Sequence, residues 1–229
     1  MELFGNRGMS FRITSLSENQ PIDWKAHHVP ASALDHHGAA DIHHGVELKL
    51  GILGDMVRIR EARASDVNGI RAVHRAAFGD EGPIVADLAL ALIADESAKP
   101  ILVLVAESEQ GVVGSIIFSS VHMPGSEYGP SYILAPLAVA PEIQRMGVGS
   151  QLIESGLTVL RERGAELVFV LGDPRYYGRF GFNTGHKVCA PYDLPYPEAW
   201  MCLSLGEVVP ERVNGQLVCA ESLNRPEHW

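Results

Sequence analysis

Gly147 and Gly149 stand two apart in the run Gln144-Arg145-Met146-Gly147-Val148-Gly149-Ser150, directly ahead of a stretch whose apolar residues recur at helical spacing. A helix start leaves its first N–H groups without internal partners and carries partial positive charge, so it attracts an anion wherever side chains stand aside. The two glycines allow that approach, and Gln144 and Arg145 add polar and cationic reach at the same corner. The chemistry this favours is the holding of a phosphate or pyrophosphate. The same spacing also fits a plain tight turn between strand and helix. Other phosphate motifs are absent. A Walker loop needs Gly-Lys followed by Ser or Thr, which occurs nowhere in the chain. A dinucleotide fingerprint needs three glycines early in a βαβ unit, whereas this turn has two and comes late.

The other reactive side chains are less ordered in the sequence. Cys189 and Cys202 are thiols that, as thiolates, attack thioesters, although buried packing is the commoner role of a lone cysteine. No Ser-His-Asp order and no metal-ligand set is found inside the patterned region. Six of the ten histidines fall in residues 1–55 as the pairs His27-His28, His36-His37 and His43-His44. Imidazole binds zinc, copper or nickel, but the paired spacing matches no closed zinc site and no cysteine accompanies it, so no metal is expected.

These groups must be positioned by the elements that follow residue 56. Val57-Arg58-Ile59-Arg60-Glu61 alternates as a half-buried strand, and Ser65 is placed to cap a helix with Val67, Ile70, Val73 and Ala77 on its apolar face. Gly79-Asp80-Glu81-Gly82-Pro83 breaks that helix. A second carries Ile84, Leu88, Ala91 and Leu92 and stops at Lys99-Pro100. Strands are expected over 101–106, 112–121 and 131–139, the last two joined by a turn over 125–130. The glycine-bearing turn then opens a helix with Leu152, Ile153, Leu157 and Leu160 on one stripe, ending near Gly164. A buried strand over 166–171, a short helix over 174–180 and a late strand over 200–205 complete the order β-α-α-β-β-β-α-β-α-β. That order describes a mixed α/β sheet with helices on its faces.

Composition narrows the function classes. The chain has 229 residues with 18 basic and 28 acidic side chains, a formal charge of -10, which argues against nucleic acid or an anionic membrane surface as a partner. No apolar run approaches the roughly 18–20 residues a membrane helix needs, and the first 30 residues lack the pattern of a secretory signal. Three cysteines form no disulfide framework and fit a reducing, cytoplasmic setting. Residues 1–55, rich in Gly, Ser, Pro and His without apolar periodicity, are read as a flexible extension or as preceding a biological start at Met56. Residues 56–229 are read as one domain, with its motifs within about 57–205.

The run Leu134-Ala135-Pro136-Leu137-Ala138-Val139, then Pro141-Glu142, then residues 144–149, resembles the GCN5-related N-acetyltransferases, the GNAT family, in its Gln/Arg-x-x-Gly-x-Gly/Ala signature. Tyr176-Tyr177-Gly178-Arg179-Phe180-Gly181-Phe182 is similar to the family's segment after the fifth strand, and with Leu171-Gly172-Asp173-Pro174 it looks most like the YhbS-type subgroup. The resemblance implies a GNAT-like fold in which two parallel central strands, over 131–139 and 166–171, splay apart around acetyl-CoA. It implies that Leu137, Ala138 and Val139 line the pantetheine arm, with backbone groups of Leu137 and Val139 pairing to it. It also implies that Gln144, Arg145, Met146, Gly147, Val148, Gly149 and Ser150 clasp the pyrophosphate. A homodimer through the late strands is compatible with it, as in some members.

The implied reaction is direct acetyl transfer from acetyl-CoA to a primary amine of a small molecule or peptide in a ternary complex. A non-catalytic CoA-binding regulatory module is the alternative. Acetyl transfer requires a neutral nitrogen and a proton for the departing thiolate, which a phenol can supply. By analogy Tyr177, four residues before Gly181, is the candidate general acid, with Tyr176 its neighbour; packing of both in an aromatic corner is the competing reading. Glu81 and His122 are the candidate bases, ahead of His74 and His186.

Overall fold

Alternation along the central strands divides the core into two layers, because successive side chains of a strand point to opposite faces. The computed structural model describes residues 57–229; the histidine pairs and the rest of the extension lie outside the described residues. The elements are β1 (Arg58–Glu61), α1 (Val67–Ala77), α2 (Gly82–Ala94), β2 (Leu102–Ser108), β3 (Gly111–Val121), β4 (Ser131–Val139), α3 (Val148–Glu162), β5 (Leu167–Leu171), α4 (Pro174–Tyr177), β6 (Lys187–Cys189), β7 (Trp200–Ser204) and β8 (Asn214–Gln216). Six strands form one sheet in the order β1-β2-β3-β4-β5-β7, antiparallel except for the parallel pair β4-β5. The expected mixed α/β architecture is therefore present. The short strands β6 and β8 form a separate parallel pair that the sequence pattern did not signal.

One face of the sheet buries Val105, Ile117, Ile133 and Phe169 against Ile70 of α1, Leu88 and Leu92 of α2, and Trp229 near the end of the chain. The other buries Leu104, Ile116, Phe118 and Val168 against Leu152, Ile153, Leu157 and Leu160 of α3. Each of these side chains contributes about 1.5–3 kcal/mol by leaving water, which is why the apolar spacing of α3 fixes the face it presents. No helix among the described residues is long and apolar enough to cross a membrane.

The entry to α1 differs from the expected Ser65 cap. Residues Ala64–Asp66 form a single 3-10 turn, so Ser65 lies inside it rather than ahead of the helix. Asp66 takes the structural role instead. Its carboxylate accepts from the Arg63 N–H at 2.6 Å and from the Arg60 guanidinium at 2.7 and 3.0 Å. Arg60 also reaches Glu107 on β2. The guanidinium bonds and the main-chain donor hold the Asp66 carboxyl at about 2 against the opposing pull of burial.

Two departures from regular pairing shape the middle of the sheet. The β3–β4 register slips between Ile116 and Phe118, opposite Ala135 and Pro136, and Pro136 has no N–H to give a ladder. On the other side of β4, pairing with β5 covers Ser131–Leu167, Tyr132–Val168 and Ile133–Phe169 and then ends. From Leu134 onward the two parallel strands diverge.

Candidate active site

The turn ahead of α3 presents main-chain donors rather than side chains. Gly147 is the residue before the helix and has φ 86°, a left-handed conformation that glycine takes without a Cβ clash. Arg145 also sits in the left-handed region, at φ 64°. Among the described residues the N–H groups of Gly147, Val148, Gly149 and Ser150 donate to no protein acceptor, and no side chain caps the helix. The Gln151 N–H, one residue further, already bonds the Gly147 carbonyl at 3.0 Å. The result is an open cluster of donors at the positive end of a fifteen-residue helix, suited to an anion.

Not every group in this run faces outward. The Gln144 and Met146 N–H groups are used inside the turn, on the Pro141 and Ile143 carbonyls, each at 3.4 Å. The Gln144 side-chain amide folds back to donate to the Val139 carbonyl at 3.0 Å. Gln144 thus fastens the turn to the end of β4, while Arg145 is exposed.

Beyond the last β4–β5 pair, Ile133–Phe169, lies a cavity. Its wall comprises 133–137 of β4, Leu171 at the end of β5, Phe78 after α1, Tyr177, and Leu223, His228 and Trp229 from the last segment of the chain. Leu137 belongs to this wall, Ala138 is buried against Val73 and Ala77 of α1, and Val139, the last residue of β4, packs on the core layer of α3.

The two adjacent tyrosines occupy different places. Asp173 opens α4 by accepting from the Arg175 N–H at 2.9 Å, and Pro174 follows in the first turn. This short helix turns Tyr177 into the core, where it is 5% exposed and packs at right angles to Tyr176 and near-perpendicular to Phe182. The ring passes so close to Gly172 that a Cβ there would lie 2.3 Å from it, so the residue after β5 must be glycine for Tyr177 to reach the cavity. Burial pushes the Tyr177 phenol well above its ordinary range, and the neighbouring Tyr176 adds to the shift. It remains a protonated donor at neutral pH. Tyr176 instead lies over the start of α3. Its hydroxyl would stand 2.8 Å from a Cβ at Gly149, it shares a hydrogen bond with Ser150, and Arg179 stacks 4.6 Å above its ring. The aromatic corner formed with Phe180 and Phe182 exists as well, so packing and cavity lining coincide here.

The remaining candidates are dispersed. Glu81 closes the one-turn helix Gly79–Glu81, and His122 is exposed, its main chain paired with Val218; neither is in the cavity wall. His74 is fully buried beneath β4, its Nδ1 2.9 Å from the Ile70 carbonyl and its ring beside the Pro136 carbonyl and parallel to Phe78. Desolvation pushes it down to about 4, so it is a neutral packing residue. His186 accepts from the Val188 N–H at Nδ1 and donates from Nε2 to the Trp200 carbonyl. Cys202 is buried and its thiol pushed up to about 12 by desolvation, which leaves little thiolate for attack; Cys189 is exposed on β6. Four wall residues, Phe78, Leu223, His228 and Trp229, were not identified from the sequence. The last three follow the final expected strand, where no periodicity marks them.

Comparison with known proteins identifies the family. Residues 58–185 match the family model described as the acetyltransferase (GNAT) domain. The chain is 44% identical over 163 residues to the N-acetyltransferase YjhQ of Escherichia coli K12, which covers 69% of this chain and 88% of that protein. It is similar to the crystal structure of the GNAT family N-acetyltransferase YhbS from Escherichia coli in complex with CoA, with TM-score 0.66 and 32% identity over 74% of this chain and 93% of that one. It is also similar to a GNAT family acetyltransferase from Brucella melitensis in complex with acetyl-CoA, with TM-score 0.57 and 33% identity over 73% and 97% of the two chains.

Proposed function

This chain belongs to the GNAT family of acetyltransferases, and from that premise we propose that it moves the acetyl group of acetyl-CoA directly onto a primary amine while both substrates are bound. Two observations support the reading together: unpaired donors at the start of α3, and Tyr177 in the wall of a cavity beyond the last β4–β5 pair. When bound, acetyl-CoA supplies the electrophilic carbonyl and the sulfur leaving group.

The residues present fit that co-substrate. The unpaired N–H groups of 147–150 would hold the diphosphate, since a helix start favours negative charge and no side chain caps it. The edge of β4 beyond Ile133, free of β5, would align the pantetheine arm along Leu137 and Val139. Tyr177 would donate its O–H proton to the departing thiolate, a role supported by its place in the cavity wall. Cys202, buried and protonated, is a poor acyl carrier, which supports direct transfer over a covalent intermediate. The acceptor is a small-molecule or peptide amine. The formal charge of -10 speaks against nucleic acid, and the free cysteines support action in the cytoplasm.

The test combines binding and turnover. Acetyl-CoA at 100 times its Kd should stabilise the protein by about 2.7 kcal/mol. A panel of primary amines should give acceptor-dependent release of free thiol, and Tyr177→Phe should lower kcat by about 10²–10³-fold while keeping the thermal shift. Absence of any shift at saturating acetyl-CoA would overturn the reading. Binding without turnover of any amine would favour a CoA-sensing module instead.

A further inference from the structure

Besides Tyr177 and the residues of β4 and β5, the cavity is walled by Phe78, Leu223, His228 and Trp229. No Asp, Glu, Lys or Arg side chain belongs to the wall. The polar atom of the Trp229 indole is already used, since its N–H donates to the Leu223 carbonyl at 3.0 Å. The Nδ1 of His228 is buried, and desolvation holds that imidazole below its ordinary 6.5, so the ring is uncharged at pH 7. Tyr177 is a neutral phenol at the same pH. The side chains of this wall therefore offer apolar surface and no charge.

The origin of the wall bears on which substrate it meets. The match to the GNAT domain ends at residue 185, so Leu223, His228 and Trp229 lie beyond the part shared with the family model. The groups suited to acetyl-CoA all lie within that part: the donors at 147–150, the free edge of β4, and Tyr177. With the co-substrate served there, the last segment is left to serve the acceptor. It is also fixed in place before any ligand arrives. Asp95 accepts from the Ser222 N–H and Ser97 Oγ from the Glu221 N–H, each at 2.8 Å. Tyr192 donates to the Asn224 carbonyl, and Trp229 packs edge-on against Trp200, 5.6 Å between centroids. A wall ordered in advance spends none of the ligand's binding energy on its own ordering.

We propose that Phe78, Leu223 and Trp229 seat the acceptor and select a primary amine whose other end is apolar, an alkylamine or arylalkylamine, over one that carries a second charge. The proposal rests on the acetyltransferase reading and narrows its amine class. An apolar substituent gains by leaving water against these three side chains. A second ammonium would be stripped of water beside a wall with no carboxylate side chain to pair it, and a carboxylate would find no cationic side chain, so either is disfavoured. The formal charge of -10 draws polycations toward the protein as a whole, but it acts on encounter, and the seat decides which amine stays.

The test uses the full chain and two amines, hexylamine and 1,5-diaminopentane, which match in length and differ in whether the far end is a methyl or an ammonium. With acetyl-CoA, kcat/KM should be about a hundredfold higher for hexylamine, and equal or reversed values overturn the proposal. Binding gives a readout without turnover: on the CoA-bound protein hexylamine should raise Tm and 1,5-diaminopentane should not, and absence of a hexylamine shift overturns the proposal. Phe78 is half-buried, and Phe78→Glu, which adds a carboxylate to the wall, should narrow the ratio about tenfold or more while the acetyl-CoA thermal shift persists. An unchanged ratio counts against the seat, and if that variant does not fold the two measurements on the parent decide. Faster transfer from hexanoyl-CoA than from acetyl-CoA, with no preference for hexylamine, would assign the apolar wall to the acyl chain and overturn the proposal. Failure of acetyl-CoA to shift the parent's melting would instead strike the acetyltransferase reading, so the two failures are distinct.

Discussion

The donor turn at 144–150 draws its function from one short run of chain, whereas the Tyr177 cavity is assembled from residues as far apart as Phe78 and Trp229. In the turn, the working groups are main-chain N–H groups left unpaired by helix geometry, and the side chains matter mainly by being absent. In the cavity, the lining side chains are in place only because something distant packs behind them. Gly172 makes room for Tyr177, and Asp95 and Trp200 hold the segment bearing His228. Mutations should therefore affect the two regions differently: local backbone changes at the turn should weaken cofactor affinity, and remote packing changes should disable the cavity while sparing that affinity.

The largest expected effect is at the cavity. Trp229→Ala removes a side chain that is 4% exposed and should destabilise the protein by about 3–5 kcal/mol. Calorimetry would read the lowered Tm, and the additional shift on adding acetyl-CoA should persist because the turn is untouched. Loss of acetyl-CoA binding in this variant would break the proposed separation between the regions.

A smaller effect is expected at the turn. Gly147→Ala places a Cβ on a residue at φ 86°, which costs about 1–2 kcal/mol. Relaxation of the turn to relieve it would misalign the donors, so the KM for acetyl-CoA should rise several-fold with kcat at saturation little changed. A fall in kcat with an unaltered KM would show that the turn and the cavity are not separable.

The smallest effect concerns the anchor of the last segment and its dependence on acidity. Burial would raise the Asp95 carboxyl, but the Ser97 hydroxyl and N–H and the Ser222 donors outweigh it and hold it at about 2, against an ordinary 3.8. A depressed carboxylate stabilises the fold fully above its unfolded pKa and loses that contribution as pH falls toward its folded pKa, here from about 4 to about 2. Asp95→Asn should cost about 1 kcal/mol at pH 7 after allowance for solvent screening, and should flatten the acid dependence of Tm in that window. Because Asp95 holds the segment that supplies Leu223 and Trp229 to the wall, kcat/KM for the acceptor should fall as well. An unchanged kcat/KM would show that the segment keeps its place without this anchor.

Much of the architecture was legible from spacing alone. Leu152, Ile153, Leu157 and Leu160 recur with the helical period and do line the buried face of α3. The alternation in β1 and the continuous apolar runs of β2 to β5 likewise appear as strands in the expected order. Ser65 was misplaced as a cap because a hydroxyl before an apolar run signals a helix start only if the chain begins its helix there, and Arg60 instead draws Asp66 into a bidentate pair. Strands β6 and β8, three residues each, are too short to carry a period, and they pair across a long separation in sequence. The cavity-lining residues Leu223, His228 and Trp229 carry no such signal either: they lie after the last strand, in and around a one-turn helix with no pattern around it.

The sequence by itself determined where the anion donors would be, because a helix start frees the same N–H groups wherever it occurs and glycines at that point leave them uncovered. It determined the two-layered sheet for the same kind of reason, since periodicity is a local property of the chain. Only the tertiary structure decided which distant segments close the cavity around Tyr177. Phe78 follows α1, Leu171 ends β5, and Leu223 and Trp229 come from the last segment, which packs through Trp229 on Trp200. Those outcomes depend on contacts between residues distant in sequence, whose energies belong to no short stretch of the chain.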